Sequence, residues 1–339
     1  MNIVKKVSLR NFRCYDEFEL DCDRATSLIV GENGSGKTSI LEAIYLALRG
    51  KSFKGVDKEI IKRDAEFYRA EVNMADARDV IIRFDGKKKT FEVDNRKYLR
   101  LPKKDKYPVV LFEPDDLYLV GSSPSRRRDY FDELFKQMND AYGVALGKYN
   151  KALKQRNDLL KNEDLHPDDL FSWDVMCAHY GTEVLHRRVE NLEKINGKFT
   201  AVYREIAKNE DKCALRYIGE LLSEDEYLQQ LQKNFRRDLV LGHSTFGPHR
   251  DDYEFVFNGT KADGSASRGE IRSMVLSLKF IEAQILENEL GKKPVVLLDD
   301  IFSELDEMRQ KHLIDNFKDY QMIITSTAVP GEMLANKEL

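Results

Sequence analysis

Residues 25–48 constrain the fold of this chain more than any other stretch. Ala25-Thr26-Ser27-Leu28-Ile29-Val30 is a short run with β-branched residues, and it stops at Gly31. Gly31-Glu32-Asn33-Gly34-Ser35-Gly36-Lys37-Thr38 comes next. Ser39 to Leu48 is then rich in helix formers and apolar almost all round, with Gly50 placed to end the helix. A Gly-x4-Gly-Lys-Thr pattern between a strand and a helix predicts a P-loop. The glycines let the backbone fold tightly, so that successive N–H groups point at phosphate oxygens, and the helix N-terminus adds partial positive charge. Gly31, Glu32, Asn33, Gly34, Ser35, Gly36, Lys37 and Thr38 are therefore the expected phosphate cradle of an ATP site. Lys37 is expected to reach the β- and γ-phosphates, and the Thr38 hydroxyl to ligate Mg²⁺. A glycine-rich turn of the same spelling would not need the strand before it and the helix after it.

Such a cradle needs a second magnesium anchor at the end of a neighbouring parallel strand. Val295-Val296-Leu297-Leu298 is an apolar run closed by Asp299. Asp299 is expected to hold Mg²⁺. Asp300 points to the other side of the strand end and is expected to orient or deprotonate the attacking water. A helix N-cap at Asp300 is compatible with either role. Ser303-Glu304-Leu305-Asp306 lies three residues on. About thirty residues before Asp299, Ser267-Arg268-Gly269-Glu270 opens an apolar helix. This spacing fits a capping box between Ser267 and Glu270. It also fits the Ser-x-Gly-Glu/Gln signature of ABC-type ATPases, which faces the γ-phosphate held by the other subunit. The signature is weak alone and strong in this order with the P-loop, the Asp299 strand and Ser303 to Asp306.

The chain resembles the RecF family of bacterial recombination mediators, ABC-type ATPases related to the heads of SMC proteins. The resemblance rests on Leu9-Arg10-Asn11-Phe12-Arg13-Cys14-Tyr15, Glu113-Pro114-Asp115-Asp116-Leu117, Gly121 to Arg128 with Phe131-Asp132, Gly247-Pro248-His249-Arg250-Asp251-Asp252, and Leu298 to Asp306. It spans nearly the whole chain in order. It implies an α/β fold, an ABC-type ATPase head with a mixed sheet around a central helix and an inserted α-helical lobe. It further implies an ATP-dependent homodimer with Lys37 and Asp299 of one subunit facing Ser267, Arg268, Gly269 and Glu270 of the other. Closure would trap DNA and hydrolysis would release it, assisting RecA loading at single-strand gaps with RecO and RecR. Arg13 is expected to contact nucleotide phosphate, or else to form a surface salt bridge. His249 to Asp252 carries a functional role or forms a hydrogen-bonded turn.

Three departures, two from the ABC pattern and one from RecF sequences, predict slow hydrolysis. There is no glutamine before Gln137, so the magnesium-sensing position falls to Glu113 or Asp115. The signature ends in Glu270 where RecF sequences usually carry Gln, and Ser326-Thr327 offers no switch histidine. A transporter ATPase subunit or an SMC-like head is the competing reading. The missing glutamine and histidine disfavour the first, and the absence of a coiled-coil arm disfavours the second.

The 339 residues carry 55 Lys+Arg against 59 Asp+Glu, a formal charge of −4, which taken whole argues against a nucleic-acid partner. The charge is not evenly spread. Residues 86–106 hold Lys87, Lys88, Lys89, Arg96, Lys97, Arg100, Lys103, Lys104 and Lys106 against Glu92, Asp94 and Asp105, a local charge of +6. This segment is either a DNA-backbone contact for duplex or gapped DNA, with Tyr98 and Tyr107 interleaved, or a solvated lysine-rich hairpin. Arg126-Arg127-Arg128 is a second cluster that alternatively pairs with acids. Nothing resembles a base-reading element. The opening residues have no apolar run long enough for a signal peptide or membrane span. Cys14, Cys22, Cys177 and Cys213 form no CxxC pair and suit a reducing cytoplasm. His179 and His186 beside Cys177 lack a fourth ligand for zinc.

Short β-type runs at 80–84 and 90–93 flank Asp85-Gly86 and predict a hairpin, with a further strand at 109–112. From about Ser125 to Arg237 the spacing predicts long helices, one stripe running from Phe131 to about Leu160 and stopping at Pro167, a second over 171–199 and a third over 225–235. Strands at 253–257, 295–298 and 322–325 and a helix over 269–288 complete the pattern. The expected organisation is an ATP-binding head from 1–118 and 238–339, with a helical lobe over 119–237.

Overall fold

The computed structural model describes residues 2–76, 78–162 and 164–329. They fall into two compact units, one running up to Leu117 and resuming at Glu282, the other spanning Tyr118–Ile281.

The first unit begins with β1 (Val4–Phe12), β2 (Tyr15–Asp21), β3 (Thr26–Val30), α1 (Lys37–Arg49) and the single turn α2 (Asp57–Ile60). It continues with β4 (Tyr68–Met74), β5 (Asp79–Phe84), β6 (Lys89–Val93), β7 (Arg96–Tyr98) and β8 (Val109–Phe112). The second unit holds α3 (Pro124–Met138), α4 (Asp140–Leu159), α5 (Pro167–Ala207), β9 (Cys213–Ile218), α6 (Glu224–Leu241), β10 (Asp252–Phe257) and β11 (Thr260–Lys261). The helix α7 (Arg268–Leu290) crosses the boundary, and β12 (Val295–Asp299), α8 (Glu307–Phe317) and β13 (Gln321–Ser326) return to the first unit.

The mixed sheet of the head takes the form of two sheets. One is antiparallel in the order β2-β1-β4-β5-β6-β7, and the other is parallel in the order β3-β13-β12-β8. The helix α1 packs against β1, β4 and β5 of the first sheet and β8, β12 and β13 of the second. That placement explains why residues 40–48 are all buried and, Glu42 apart, apolar. It also explains the two strand patterns. β4 alternates buried and half-buried residues, as a strand with one covered face must, whereas β12 is buried throughout, as a parallel strand covered on both faces must be. The buried Gln321 side chain ties the sheets together at one end. Its oxygen accepts from Ile3 N (2.7 Å) and Val4 N (2.8 Å), and its amide donates to the Val4 (2.7 Å) and Cys22 (2.9 Å) carbonyls.

The second unit differs from its expected form in three ways. The helical stripe from Phe131 breaks at Asn139, which ends α3 and caps α4 by accepting from Ala141 N at 2.8 Å. The periodicity runs through because both helices bury the same kind of face. Pro167 starts α5 rather than stopping a helix, since its missing N–H belongs to the first helical turn. The strand β9 lies inside the lobe expected to be helical and pairs with β10, the strand expected at 253–257, in a sheet ordered β11-β10-β9. The pairing of Tyr253 with Tyr217 and of Phe255 with Leu215 binds residues 252–257 to this unit, so it extends to Ile281 instead of 237.

Candidate functional site

The P-loop bends where its glycines permit. Gly34 and Gly36 have φ of 81° and 97°, the left-handed region that glycine adopts without strain. A side chain at Gly36 would also overlap Cys14 Sγ and Tyr15 Oη, which lie against the loop in the turn between β1 and β2. The loop is anchored to the parallel sheet by Gly31 N donating to Ser326 O at 3.2 Å. Lys37 is buried, its ammonium 2.5 Å from Gly31 O and 2.8 Å from Glu32 O, so the cation already lies in the bend of the loop.

Thr38 and Asp299 meet although 261 positions separate them. Thr38 Oγ1 donates to Asp299 Oδ1 at 2.7 Å because α1 runs beneath the strand that ends in Asp299. This hydroxyl and this carboxylate are the groups that would hold a magnesium ion beside bound phosphates. Asp300 stands in the left-handed region, φ 49° and ψ 27°, an uncommon conformation for a residue with a side chain. Its Oδ1 is buried and has no hydrogen-bond partner among the described residues. A buried carboxylate oxygen without a donor suits a site completed by a cation or a bound water. The adjoining oxygen donors of Thr38 and Asp299 fit a hard divalent ion such as Mg²⁺.

Thr325 was not legible as a site residue. It is fully buried at the end of β13, directly opposite Asp299, with its hydroxyl 2.8 Å from Asp299 Oδ1. Glu113 follows β8, whose Phe112 pairs with Leu298, so the chain brings Glu113 level with Asp299 on the other side of β12. Asp115 lies one turn farther along, within the short 3₁₀ segment Pro114–Tyr118.

Ser303 and Glu304 end the 3₁₀ turn Ile301–Glu304, and Asp306 is a helix cap. Ser303 Oγ donates to Asp300 O at 2.8 Å, and Asp306 caps α8 by accepting from Arg309 N at 3.0 Å. The helix α8 is the helix expected between the last two strands, inside the bracket of Pro294 and Pro330, and Leu313 and Phe317 behind the Asp306 cap carry its signal. In the second unit the capping box at the start of α7 forms as spaced. Ser267 N donates to Glu270 Oε2 at 2.6 Å, and Glu270 N donates to Ser267 Oγ at 3.3 Å. Ser267 and Arg268 are exposed.

Other expected residues are committed elsewhere. Arg13 forks onto the fully buried Glu42, at 2.8 and 2.7 Å, and donates to Glu59 O at 2.7 Å. Arg127 likewise forks onto Asp252, at 2.8 and 2.7 Å, and Arg128 donates to Asp251 O at 2.7 Å, so these two arginines pair within their own unit. His249 is a hydrogen-bonded turn residue, 2.7 Å from Tyr149 Oη and 3.0 Å from Ser244 O. Burial holds its imidazole pKa down to about 4, with Arg250 and Arg128 adding to the effect and the Ser244 carbonyl opposing it. His179 pairs with Glu224, Cys177 is buried, and no cluster of metal-ligating side chains occurs among the described residues.

The basic segment lies at one edge of the antiparallel sheet. Lys87, Lys88, Arg96, Lys97, Arg100, Lys103, Lys104 and Lys106 are exposed. Lys89 departs from the expected set, because its ammonium is 2.9 Å from Asp57 Oδ1 and over the Phe91 ring. Arg96 and Lys97 belong to β7, the edge strand, where charges also discourage pairing with another sheet.

A family profile described as an AAA domain matches residues 6–239. The DNA replication and repair protein RecF of Agathobacter rectalis is 36% identical over 349 residues, covering 99% of this chain and 94% of the relative. That of Clostridium acetobutylicum is 32% identical, covering 96% of this chain and 93% of the relative. The structure of the recombination mediator protein RecF-ATP in the RecFOR pathway superposes with a TM-score of 0.86 at 31% identity, covering 97% of this chain and 93% of that one. The corresponding RecF-ATPrS structure gives the same TM-score of 0.86 over 96% of this chain. The chain belongs to the RecF family of DNA replication and repair proteins, built on an ABC-type ATPase fold.

Proposed function

We propose that this chain is an ATP-dependent DNA clamp of recombinational gap repair. The observation that carries the reading is the 2.7 Å bond between Thr38 and Asp299, which joins phosphate cradle and metal-binding strand in one site. Gly31 to Thr38 would bind the phosphates through backbone N–H groups, with Lys37 swinging from its carbonyl partners to the β- and γ-oxygens. Thr38 and Asp299 would hold Mg²⁺, whose charge would offset that building on the phosphates. Asp300 is offered as the group that orients the attacking water, its unpartnered oxygen being free to accept the water's proton. Glu113, level with Asp299, is the favoured stand-in for the missing glutamine.

Closure is proposed to bring Ser267, Arg268, Gly269 and Glu270 of a second copy onto the γ-phosphate. The exposed Ser267 and the helix N-terminus behind it support this role. DNA would lie along the exposed basic residues between Lys87 and Lys106 through its phosphates, without base reading. The RecF-ATP relative belongs to the RecFOR pathway, which supports RecO and RecR as partners, and RecA loading is proposed as the outcome. Turnover is expected to be slow and coupled to DNA release. No helix among the described residues is long and apolar enough to cross a membrane.

Size-exclusion chromatography with light scattering tests the clamp. ATP should convert monomer to dimer, ADP and Lys37→Arg should not, and gapped DNA should favour the ATP dimer. A dimer that forms equally without nucleotide would overturn the mechanism.

A further inference from the structure

We propose that Thr325 is a positioning residue that sets the geometry of both acidic groups of the ATP site. The inference rests on the assignment of Asp299 and Asp300 made above, and adds to it a residue from a different strand. Thr325 is a fully buried hydroxyl at the end of the apolar run Met322-Ile323-Ile324. Parallel pairing places it opposite Asp299. Its Oγ1 is 2.8 Å from Asp299 Oδ1 and 3.0 Å from Asp300 N. Asp300 N–H has a proton to give and Asp299 carboxylate has only lone pairs, so the hydroxyl accepts from the first and donates its single proton to the second.

Two consequences follow from that one proton. Asp299 Oδ1 receives both Thr325 and Thr38 hydroxyls, which fixes the carboxylate plane and hence the direction of its other oxygen. Asp300 is held in its left-handed conformation from both sides, its N–H shared between Thr325 Oγ1 and Thr325 O (3.1 Å) and its carbonyl accepting from Ser303 Oγ. A left-handed non-glycine residue costs free energy and persists only when its surroundings hold it there. Losing the hydroxyl leaves the Asp300 N–H to the Thr325 carbonyl alone, so Asp300, whose Oδ1 has no hydrogen-bond partner, is held less firmly in that conformation. Valine in place of Thr325 keeps the shape of the side chain and supplies neither bond.

Thr325→Val, Thr325→Ala and Thr325→Ser are compared with the native chain by three readouts: melting temperature without nucleotide, affinity for a fluorescent ATP analogue with EDTA and with Mg²⁺, and steady-state ATPase. The lost bonds to a carboxylate predict that Thr325→Val binds the analogue in EDTA as the native chain does but loses about tenfold of the Mg²⁺-dependent gain in affinity. Its kcat should fall about ten- to a hundredfold with little change in KM, and Thr325→Ser should restore both. Thr325→Ala removes the same hydroxyl with less bulk and should behave as Thr325→Val if valine disturbs folding. Native Mg²⁺ dependence in Thr325→Val and Thr325→Ala, or a Thr325→Ser variant as defective as they are, would overturn the inference. Failure of the native chain to bind the analogue with Mg²⁺ would instead remove the assignment of the site on which it rests.

Discussion

Arg156 is fully buried in the helical unit, and its replacement by methionine tests how that unit is held. Its Nε donates to Asp174 at 2.6 Å and its Nη1 to Asp238 and Ser244, each at 2.7 Å, so one guanidinium joins α4, α5, the end of α6 and the loop that follows. Removing one member of a buried ion pair costs about 3–5 kcal/mol, because the partner charge stays buried without compensation. The neighbours decide where in that range the loss falls. Ser244 Oγ keeps Asn157 at 2.7 Å, and Asp238 keeps Thr245 N at 2.9 Å and Thr245 Oγ1 at 2.7 Å. Asp174 has Arg156 as its one ion-pair partner among the described residues, so the cost concentrates there. Arg156→Met should therefore lose about 3 kcal/mol in urea unfolding followed by helical signal.

The pH dependence gives the sharper test. Burial already raises the Asp174 pKa, and the Arg156 charge and hydrogen bond oppose that rise. Without Arg156 the folded-state value rises further above the unfolded one. A carboxyl with a raised folded pKa destabilises at high pH and recovers as it protonates, so the deficit of Arg156→Met should shrink as pH falls from neutral towards the unfolded carboxylate range. Arg156→Met with Asp174→Leu should regain more than half of the loss. A deficit under about 1 kcal/mol, or one independent of pH, would refute the reasoning.

Other outcomes follow from single contacts. Gln321→Leu leaves backbone groups of Ile3, Val4 and Cys22 without their partner and should cost the head about 2–4 kcal/mol, read as a lower urea midpoint. His249 has a folded pKa of about 4, below its unfolded value, so its contribution is present above about pH 6.5 and lost as pH falls towards 4. Acid destabilisation in that window should be weaker in His249→Asn, by up to about 3 kcal/mol at the low end. Binding to duplex DNA should weaken with salt at a log–log slope of about −5, and Arg96→Glu with Lys97→Glu should make the slope shallower by about 2. An unchanged slope would remove the edge strand from the DNA contact.

The phosphate cradle was readable because its information is local, a strand, eight loop residues and a helix in unbroken succession. Asp299 was readable for the same reason, as the first charge after four apolar residues. What escaped depends on pairing between distant segments. Thr325 looks like the polar end of an ordinary strand until β13 is set beside β12, which brings it to Asp299. The sheet of the second unit joins Cys213–Ile218 to residues about forty positions later, and its alternation is too short to stand out among helices. Lys89 counts as one more lysine in a basic run until Tyr68–Met74 and its neighbours bring it to Asp57. The partner of Arg13 was not legible either, because Glu42 reads as one position of an apolar helix until the fold brings the two together.

Complementation between two inactive variants tests the shared ATP site most directly. Lys37→Ala disables the cradle, and Ser267→Arg disables the face offered to the partner. In a mixed dimer, one site then combines both defects and the other has neither. Two-fold pairing at equal concentrations predicts ATPase activity near about one quarter of the native level from proteins inactive alone. Activity no greater than the sum of the separate variants would contradict a site built from two copies of this chain.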